Sequence, residues 1–332
     1  MKGLVSVVFP IGPGVPRARC ALDDLLAQRW ERLEIVAVLN GCLPGVRAEF
    51  LSCRDERLRV IDLGEEPHLM TALEVAVDES RGEWLARMDS DDRCAPSRIG
   101  EQVRLLMSGG CEVASCGISL EGALGEGMRR YVDWVNGLDS PERVSQERFI
   151  ESPVVQPTVI MSKKLFLESG GYLRNGFAED YDLWLRLLEH GARFGKVPGK
   201  LYQWRDRAGR LTRSDPRFGQ KKMLELKADA LSRLDRVREN GVAISGAGPI
   251  GKVLARELLQ RGIRVHGFFE VSPKRVGSIC RGAPVAGLDE FGTRWREAVL
   301  LSAVGVPGGR EKVRAVAEAA GYQEGRDFWC CC

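Results

Sequence analysis

Short apolar-rich runs at 5–9, 34–39 and 58–62 alternate with stretches whose apolar side chains recur at helical spacing. Ala18, Ala21, Leu22, Leu25 and Leu26 mark the first such stretch; a second ends near Cys53 and a third covers about 70–80. A fourth strand pattern then runs through Trp84, Leu85 and Ala86 straight into Asp89-Ser90-Asp91-Asp92. A βαβα order of this kind predicts an α/β fold with a mostly parallel sheet and helices on both faces. Ligands of such sheets bind at the carboxyl ends of the strands. The turn of prolines and glycines from Pro10 to Pro16, the turn Asn40-Gly41 and the carboxylates at Asp89 all fall at that edge, within reach of one ligand.

A charged stretch from about 216 to 240 carries Met223, Leu224, Leu226, Leu231 and Leu234 as its apolar positions and reads as a helical connector. Beyond it, Gly241-Val242-Ala243-Ile244-Ser245-Gly246-Ala247-Gly248-Pro249-Ile250-Gly251 has the form of a strand, a glycine turn and a helix start. A second strand over 263–269 ends at Glu270, about twenty residues past the glycines, as in the dinucleotide-binding fingerprint. The expected organisation is therefore a first domain over 1–214, a connector over 215–240 and a small Rossmann-like α/β domain over 241–332.

Asp89 and Asp91 carry the most chemistry. Alternate residues of a strand end project to one side, and two hard oxygen donors there suit Mg²⁺ or Mn²⁺. A plain Asp-rich turn capping the helix that begins near Pro96 explains the same residues, and Asp180-Tyr181-Asp182 repeats the Asp-x-Asp pattern elsewhere. An EF-hand loop is excluded, because Cys94 stands where its glycine belongs and Gly100 where its bidentate Glu belongs. A haloacid-dehalogenase-type phosphatase has its Asp-x-Asp on the first core strand, whereas at least three strand patterns precede Asp89 here.

Composition narrows the classes. A chain of 332 residues with 44% apolar content can bury a full core, and its net charge of +3 comes from interleaved signs, which gives nucleic-acid binding no support. No apolar run approaches the roughly 20 residues of a membrane helix, and Met1-Lys2-Gly3-Leu4-Val5 enters a strand pattern without signal-peptide form. These features predict a soluble, cytoplasmic protein and leave peripheral association with the inner face of a membrane open. The ten cysteines lack zinc-site spacing. The Cys330-Cys331-Cys332 triplet fits no prenylation signal and reads as an exposed tail.

Five ordered segments resemble family 2 glycosyltransferases of the GT-A fold. They are Val5-Ser6-Val7-Val8-Phe9-Pro10; Glu34-Ile35-Val36-Ala37-Val38-Leu39-Asn40-Gly41; Ala86-Arg87-Met88-Asp89-Ser90-Asp91-Asp92 with Pro96, Arg98 and Gln102; Gln156-Pro157-Thr158; and Glu179-Asp180-Tyr181-Asp182-Leu183-Trp184-Leu185-Arg186. The resemblance implies a GT-A nucleotide-diphospho-sugar transferase domain, a nucleotide sugar donor and a glycan or lipid-linked acceptor. It implies a metal held by Asp91, with Asp89 as second ligand or ribose contact, and donor contacts at Pro10, Asn40 and Asp92, the last of which serves equally as a turn cap. Asp180 becomes the expected general base and Glu179 the second choice, although acids in a first helical turn also suit the helix dipole. Enzymes of this type invert the anomeric centre. Two departures bear on the donor: Asn40 stands where many relatives carry acids, and Gln156 where relatives often carry histidine.

The arginine-rich stretch after Leu201, with Trp204-Arg205-Asp206 and Arg213-Ser214-Asp215-Pro216, is similar to that of some bacterial family members, as is the ending Gly325-Arg326-Asp327-Phe328-Trp329. Arg205 and Arg213 are candidate clamps for diphosphate oxygens, or members of a solvated loop anchored by Trp204. For Gly246, Gly248, Gly251 and Glu270 three readings stand: a nucleotide or nucleotide-sugar site, an NAD site, or a docking module without ligand. Two rival functions follow, an NAD-dependent oxidoreductase or epimerase led by the C-terminal domain, and a catalytically degenerate glycan- or partner-binding protein.

Overall fold

The computed structural model describes residues 3–65, 68–122, 125–205 and 214–332. The chain packs as two units. The first comprises Met1–Glu142, Val154–Asn175 and His190–Ser214, and the second Arg143–Pro153, Gly176–Glu189 and Asp215–Cys332.

The first unit is built on strands β1 (Val5–Ile11), β2 (Leu33–Leu39), β3 (Leu58–Asp62), β4 (Trp84–Arg87), β5 (Arg93–Cys94), β6 (Val113–Glu121), β7 (Ile160–Ser162) and β8 (Phe194–Arg205). Their order is β3-β2-β1-β4-β7-β6-β8-β5, with β1 to β4 parallel and β7 antiparallel to both neighbours. Every residue of β1 is buried, the continuous apolar reading of a strand covered on both faces. Helix α1 (Ala18–Leu26) buries Ala18, Ala21, Leu22 and Leu25, and α2 (Pro44–Ser52) sets Phe50 against Phe9 at 6.1 Å between ring centres. Helix α3 (Leu69–Asp78) opens at His68, whose ring accepts the Thr71 amide, and α4 (Arg98–Met107) follows β5.

The parallel half matches the sequence pattern closely, with one extension. Pro10 lies inside β1 rather than opening a loop. The Met88 amide donates to Val8 O, so the even residues of β1 face β4, which pairs only as far as Val8. The missing N–H of Pro10 therefore costs no ladder bond.

The stretch after Leu201, read from sequence as loop, is corrected through Arg205: residues Leu201–Arg205 end the twelve-residue strand β8. Pro198-Gly199 interrupts its pattern, and its pairing with β6 shifts register between Cys116 and Ile118. Tyr202 and Trp204 alternate inward from it and are buried.

The second unit holds strands β9 (Val242–Ser245), β10 (Val265–Glu270), β11 (Ile279–Cys280), β12 (Ala283–Gly287), β13 (Val299–Ser302) and β14 (Phe328–Cys330), ordered β11-β12-β10-β9-β13-β14. All pairings but β11 with β12 are parallel, and the direction of winding reverses between β9 and β13, as in a Rossmann-like sheet. Its core also takes in Phe149 and the helix Glu179–Glu189 through Tyr181 and Leu185, beside Leu226 and Leu231 of the helix Gln220–Arg233. Tyr181 OH donates to Arg148 O at 2.7 Å. Lys227, itself buried, donates to Ile150 O at 2.8 Å and Cys331 O at 3.1 Å. The charged connector is thus part of a core, and it breaks at Leu234 into two helices.

The cysteine tail is not exposed, a further correction. β14 pairs with β13, Cys330 and Cys331 are buried, and burial pushes the Cys331 thiol up to about 12. Such thiols stay protonated and unreactive.

Two glycines after β9, Gly248 at the cap and Gly251 in the first turn of the helix Pro249–Gln260, have opposite physical roles. A Cβ on Gly251 meets Gly246 O at 2.0 Å, whereas one on Gly248 meets nothing within 4 Å. Gly251→Ala is expected to destabilise the chain by about 3 kcal/mol or more in urea unfolding, and Gly248→Ala by no more than about 0.5 kcal/mol.

Candidate active site

The register of β4 on β1, Val8 against Arg87, carries the chain beyond Arg87 along the Pro10 end of β1. Met88 is buried, Asp89 and Asp91 are half-exposed, and Asp92 is buried at 1% exposure. Ligand oxygens of Asp89, Asp91 and Asp92 all lie within 4.8 Å of one another. Among the described residues this is the one group of three or more acids, histidines or cysteines close enough to share a cation. Three carboxylates at that spacing repel, and a hard divalent ion offsets the repulsion. The donor set fits Mg²⁺ or Mn²⁺.

Three arrangements hold the cluster. Arg87, buried, donates from Nη2 to Asp89 Oδ1 at 2.8 Å and from Nη1 to Met88 O. Asp92 accepts Tyr202 OH at 2.8 Å on one oxygen and the Arg205 amide at 2.7 Å on the other. The Tyr202 oxygen also accepts the Asp89 amide at 3.4 Å, so one hydroxyl ties both ends of the acidic turn to β8. Burial, then the charges of Asp92 and Asp89, push the Tyr202 phenol well above its ordinary range, which keeps it a proton donor in the hydrogen bond. Beneath the turn, Arg98 donates from Nη2 to Arg87 O at 2.8 Å and to Pro157 O at 2.6 Å, and Gln102 donates to Ala114 O and Thr158 O at 2.8 and 2.7 Å. These two residues, one helical turn apart on α4, pin the end of β4 to the turn Gln156–Thr158.

The other expected donor contacts fall as follows. Pro10 and Asn40 lie at the carboxyl ends of β1 and β2, and Asn40 is buried with its Oδ1 accepting the His68 amide at 2.8 Å. Arg205 pairs through Nη2 with Glu121 at 3.1 Å. Arg213 lies outside the described residues. Gln156 is buried and its Nε2 makes no hydrogen bond among the described residues.

In the second unit, Glu179 and Asp180 open their helix, as expected. Glu179 is buried and paired with Arg217; Asp180 is half-buried and accepts the Tyr181 amide at 2.7 Å. Glu270 ends β10 and accepts the amides of Ala247, Val271 and Ser272 and Nη1 of Arg275. Burial alone raises the Glu270 pKa, but Arg275 and those amides outweigh it and hold the carboxyl below its usual range.

Sequence reasoning missed Tyr202 and Arg217, and attached no role to Arg87, Arg98 or Gln102. Alternation of Tyr202 with Trp204 was the signal for an inward strand position. Tyr202→Phe is expected to cost about 1–3 kcal/mol in urea unfolding, because a buried carboxylate loses a hydrogen bond.

Residues 13–169 match the sequence model of Glycosyl transferase family 2. The chain carries a family 2 glycosyltransferase domain, and the protein is a glycosyltransferase. It is 27% identical over 190 residues to the O-antigen biosynthesis glycosyltransferase WbnJ of Escherichia coli, covering 56% of this chain and 72% of the relative. It is 23% identical over 195 residues to the putative teichuronic acid biosynthesis glycosyltransferase TuaG of Bacillus subtilis, covering 57% and 74%. The fold is like that of S. aureus TarS 1–349 crystallised with UDP-GlcNAc, at a TM-score of 0.55, 17% identity and coverage of 78% and 72%. A mannosyltransferase of Pyrobaculum calidifontis, solved with GDP-Man and Mn²⁺, gives a TM-score of 0.51 at 16% identity over 69% of this glycosyltransferase and 63% of that chain. No described helix is long and apolar enough to cross a membrane.

Proposed function

We propose that this glycosyltransferase moves a sugar from a nucleotide diphosphate sugar, with inversion, to a hydroxyl of a surface-polysaccharide or lipid-linked acceptor. The observation that carries the reading is the Asp89, Asp91 and Asp92 cluster at the carboxyl end of β4, inside a family 2 domain. The polymer-assembly names of WbnJ and TuaG support the acceptor class. The whole chain is proposed to be of the bacterial type with an appended Rossmann-like domain, working at the inner face of the membrane.

In the proposed reaction an acceptor oxygen bonds to the anomeric carbon as the bond from that carbon to the phosphate oxygen breaks. Asp180 takes the acceptor proton, on the likeness of its segment to the family's acidic helix. Asp91 and Asp89 hold a divalent ion, which when bound offsets the negative charge gathering on the leaving diphosphate. Asp92, with both oxygens engaged by β8, serves the donor by fixing that turn. Pro10 and Asn40 line the nucleotide end, and Arg205 and Arg213 contact the diphosphate, Arg205 by exchanging Glu121 for phosphate.

A second ligand reading attaches to the glycine turn of the C-terminal part. The open space at Gly248 leaves room for a nucleotide phosphate, while Arg275 on Glu270 must give way to a ribose hydroxyl. Thermal unfolding of the full chain tests both readings. A rise in Tm with a sugar nucleotide that requires Mn²⁺ and disappears in EDTA supports the transferase site. Stabilisation by NAD with none by any sugar nucleotide contradicts it.

A further inference from the structure

The two adjacent acids at the start of the helix Glu179–Glu189 have different surroundings. Glu179 is 2% exposed, and its Oε2 accepts Nη1 of Arg217 at 2.8 Å. Arg217 sits in the short turn Pro216–Phe218, where Asp215 holds it three ways. Asp215 Oδ1 accepts the Arg217 amide at 2.9 Å, and Oδ2 accepts Nε and Nη2 at 2.9 and 2.7 Å. The hydrogen bonds with Asp215, and after them the charge of Glu179, raise Arg217 above its ordinary pKa against the effect of burial, so the guanidinium is charged at neutral pH, and its Nη1 is aimed at Glu179. Asp180, the next residue, is half-buried in the same first helical turn, and its Oδ1 accepts the Tyr181 amide at 2.7 Å.

We propose that Arg217 is a positioning residue: by pairing with buried Glu179 it fixes the first turn of the helix, the turn from which Asp180 takes the proton. The proposal rests on Asp180 being the general base. A buried carboxylate stripped of its cation is strongly unfavourable and has to be hydrated or rotated outward. The next residue sits about 100° further round the same turn, so any rotation that exposes Glu179 displaces Asp180 with it. Glu179 in this arrangement serves the helix start rather than the reaction. The two neighbours divide one acidic dipeptide between holding and chemistry.

The test uses the full chain and Mn²⁺-dependent release of nucleoside diphosphate from UDP-glucose, UDP-GlcNAc or GDP-mannose, whichever turns over fastest. Arg217→Met is expected to lower kcat at least about tenfold with donor KM within about twofold, the pattern of a transition-state loss, and Arg217→Lys to fall between it and wild type. Adding Glu179→Gln to Arg217→Met removes the charge that needs a partner, so kcat returns to within about threefold of Glu179→Gln alone. That double variant also answers the question if Arg217→Met does not fold. An unchanged kcat in Arg217→Met, or a loss that persists in the double variant, overturns the proposal. Asp180→Asn separates the two ideas: wild-type turnover in it removes the base assignment itself. Inactivity of Asp180→Asn beside full activity of Arg217→Met removes the positioning role alone.

Discussion

Asp91→Asn is expected to lower kcat by about a hundredfold to a thousandfold, the scale on which loss of one charge-stabilising group at a leaving oxyanion is felt. The substitution keeps the shape of the side chain and removes one of three carboxylates that lie within 4.8 Å of one another. Without an ion, that change lowers like-charge repulsion, so the apo protein should unfold at an unchanged or slightly higher temperature. The stabilisation that Mn²⁺ confers on wild type should shrink or vanish. Steady-state turnover and thermal unfolding with and without Mn²⁺, on the same preparation, check all three outcomes. Full activity together with an undiminished Mn²⁺ response would move the metal away from Asp91.

Asp180→Asn should lower kcat by about a hundredfold to ten-thousandfold, since the amide cannot accept the acceptor proton. Donor KM should hold, because donor binding in this account belongs to the acidic turn and its neighbours. The Asp180 oxygen that accepts the Tyr181 amide at 2.7 Å can be replaced by the amide oxygen of Asn, so the helix start should survive. A loss spread equally over kcat and donor KM, or a large fall in Tm, would point to a role in folding or donor binding instead.

The parallel half of the first unit was legible because its strands are buried on both faces. Val5, Val7, Val8 and Phe9 read as one apolar run, and the proline- and glycine-containing segments beyond the strands mark where they stop. The antiparallel half was much less so. β8 mixes Lys196, Pro198, Gly199, Lys200 and Gln203 with its buried positions, and a shifted register hides its alternation. The acids of the site were visible as residue types at a strand end. Which of them hold the surrounding chain depended on contacts between residues far apart in the sequence, Tyr202 to Asp92 and Arg217 to Glu179. The alternation of Tyr202 with Trp204 marks an inward position, but neither pairing leaves a local motif that names its partner. The glycine turn after β9 shows the same limit, since Gly248 and Gly251 are identical letters and only the backbone approach of Gly246 O separates their roles. The cysteine tail misled for a similar reason: burial of Cys330 comes from pairing with β13, some thirty residues upstream.

Asp89 and Asp91 are proposed to serve a metal-dependent transfer of sugar from a nucleotide donor. The most direct measurement is release of nucleoside diphosphate by the wild-type chain from a panel of UDP- and GDP-sugars, with Mn²⁺ and with EDTA. Turnover of at least one donor is expected in Mn²⁺, and none in EDTA. Turnover that is indifferent to EDTA, or no turnover of any donor while NAD alone stabilises the fold, would contradict it.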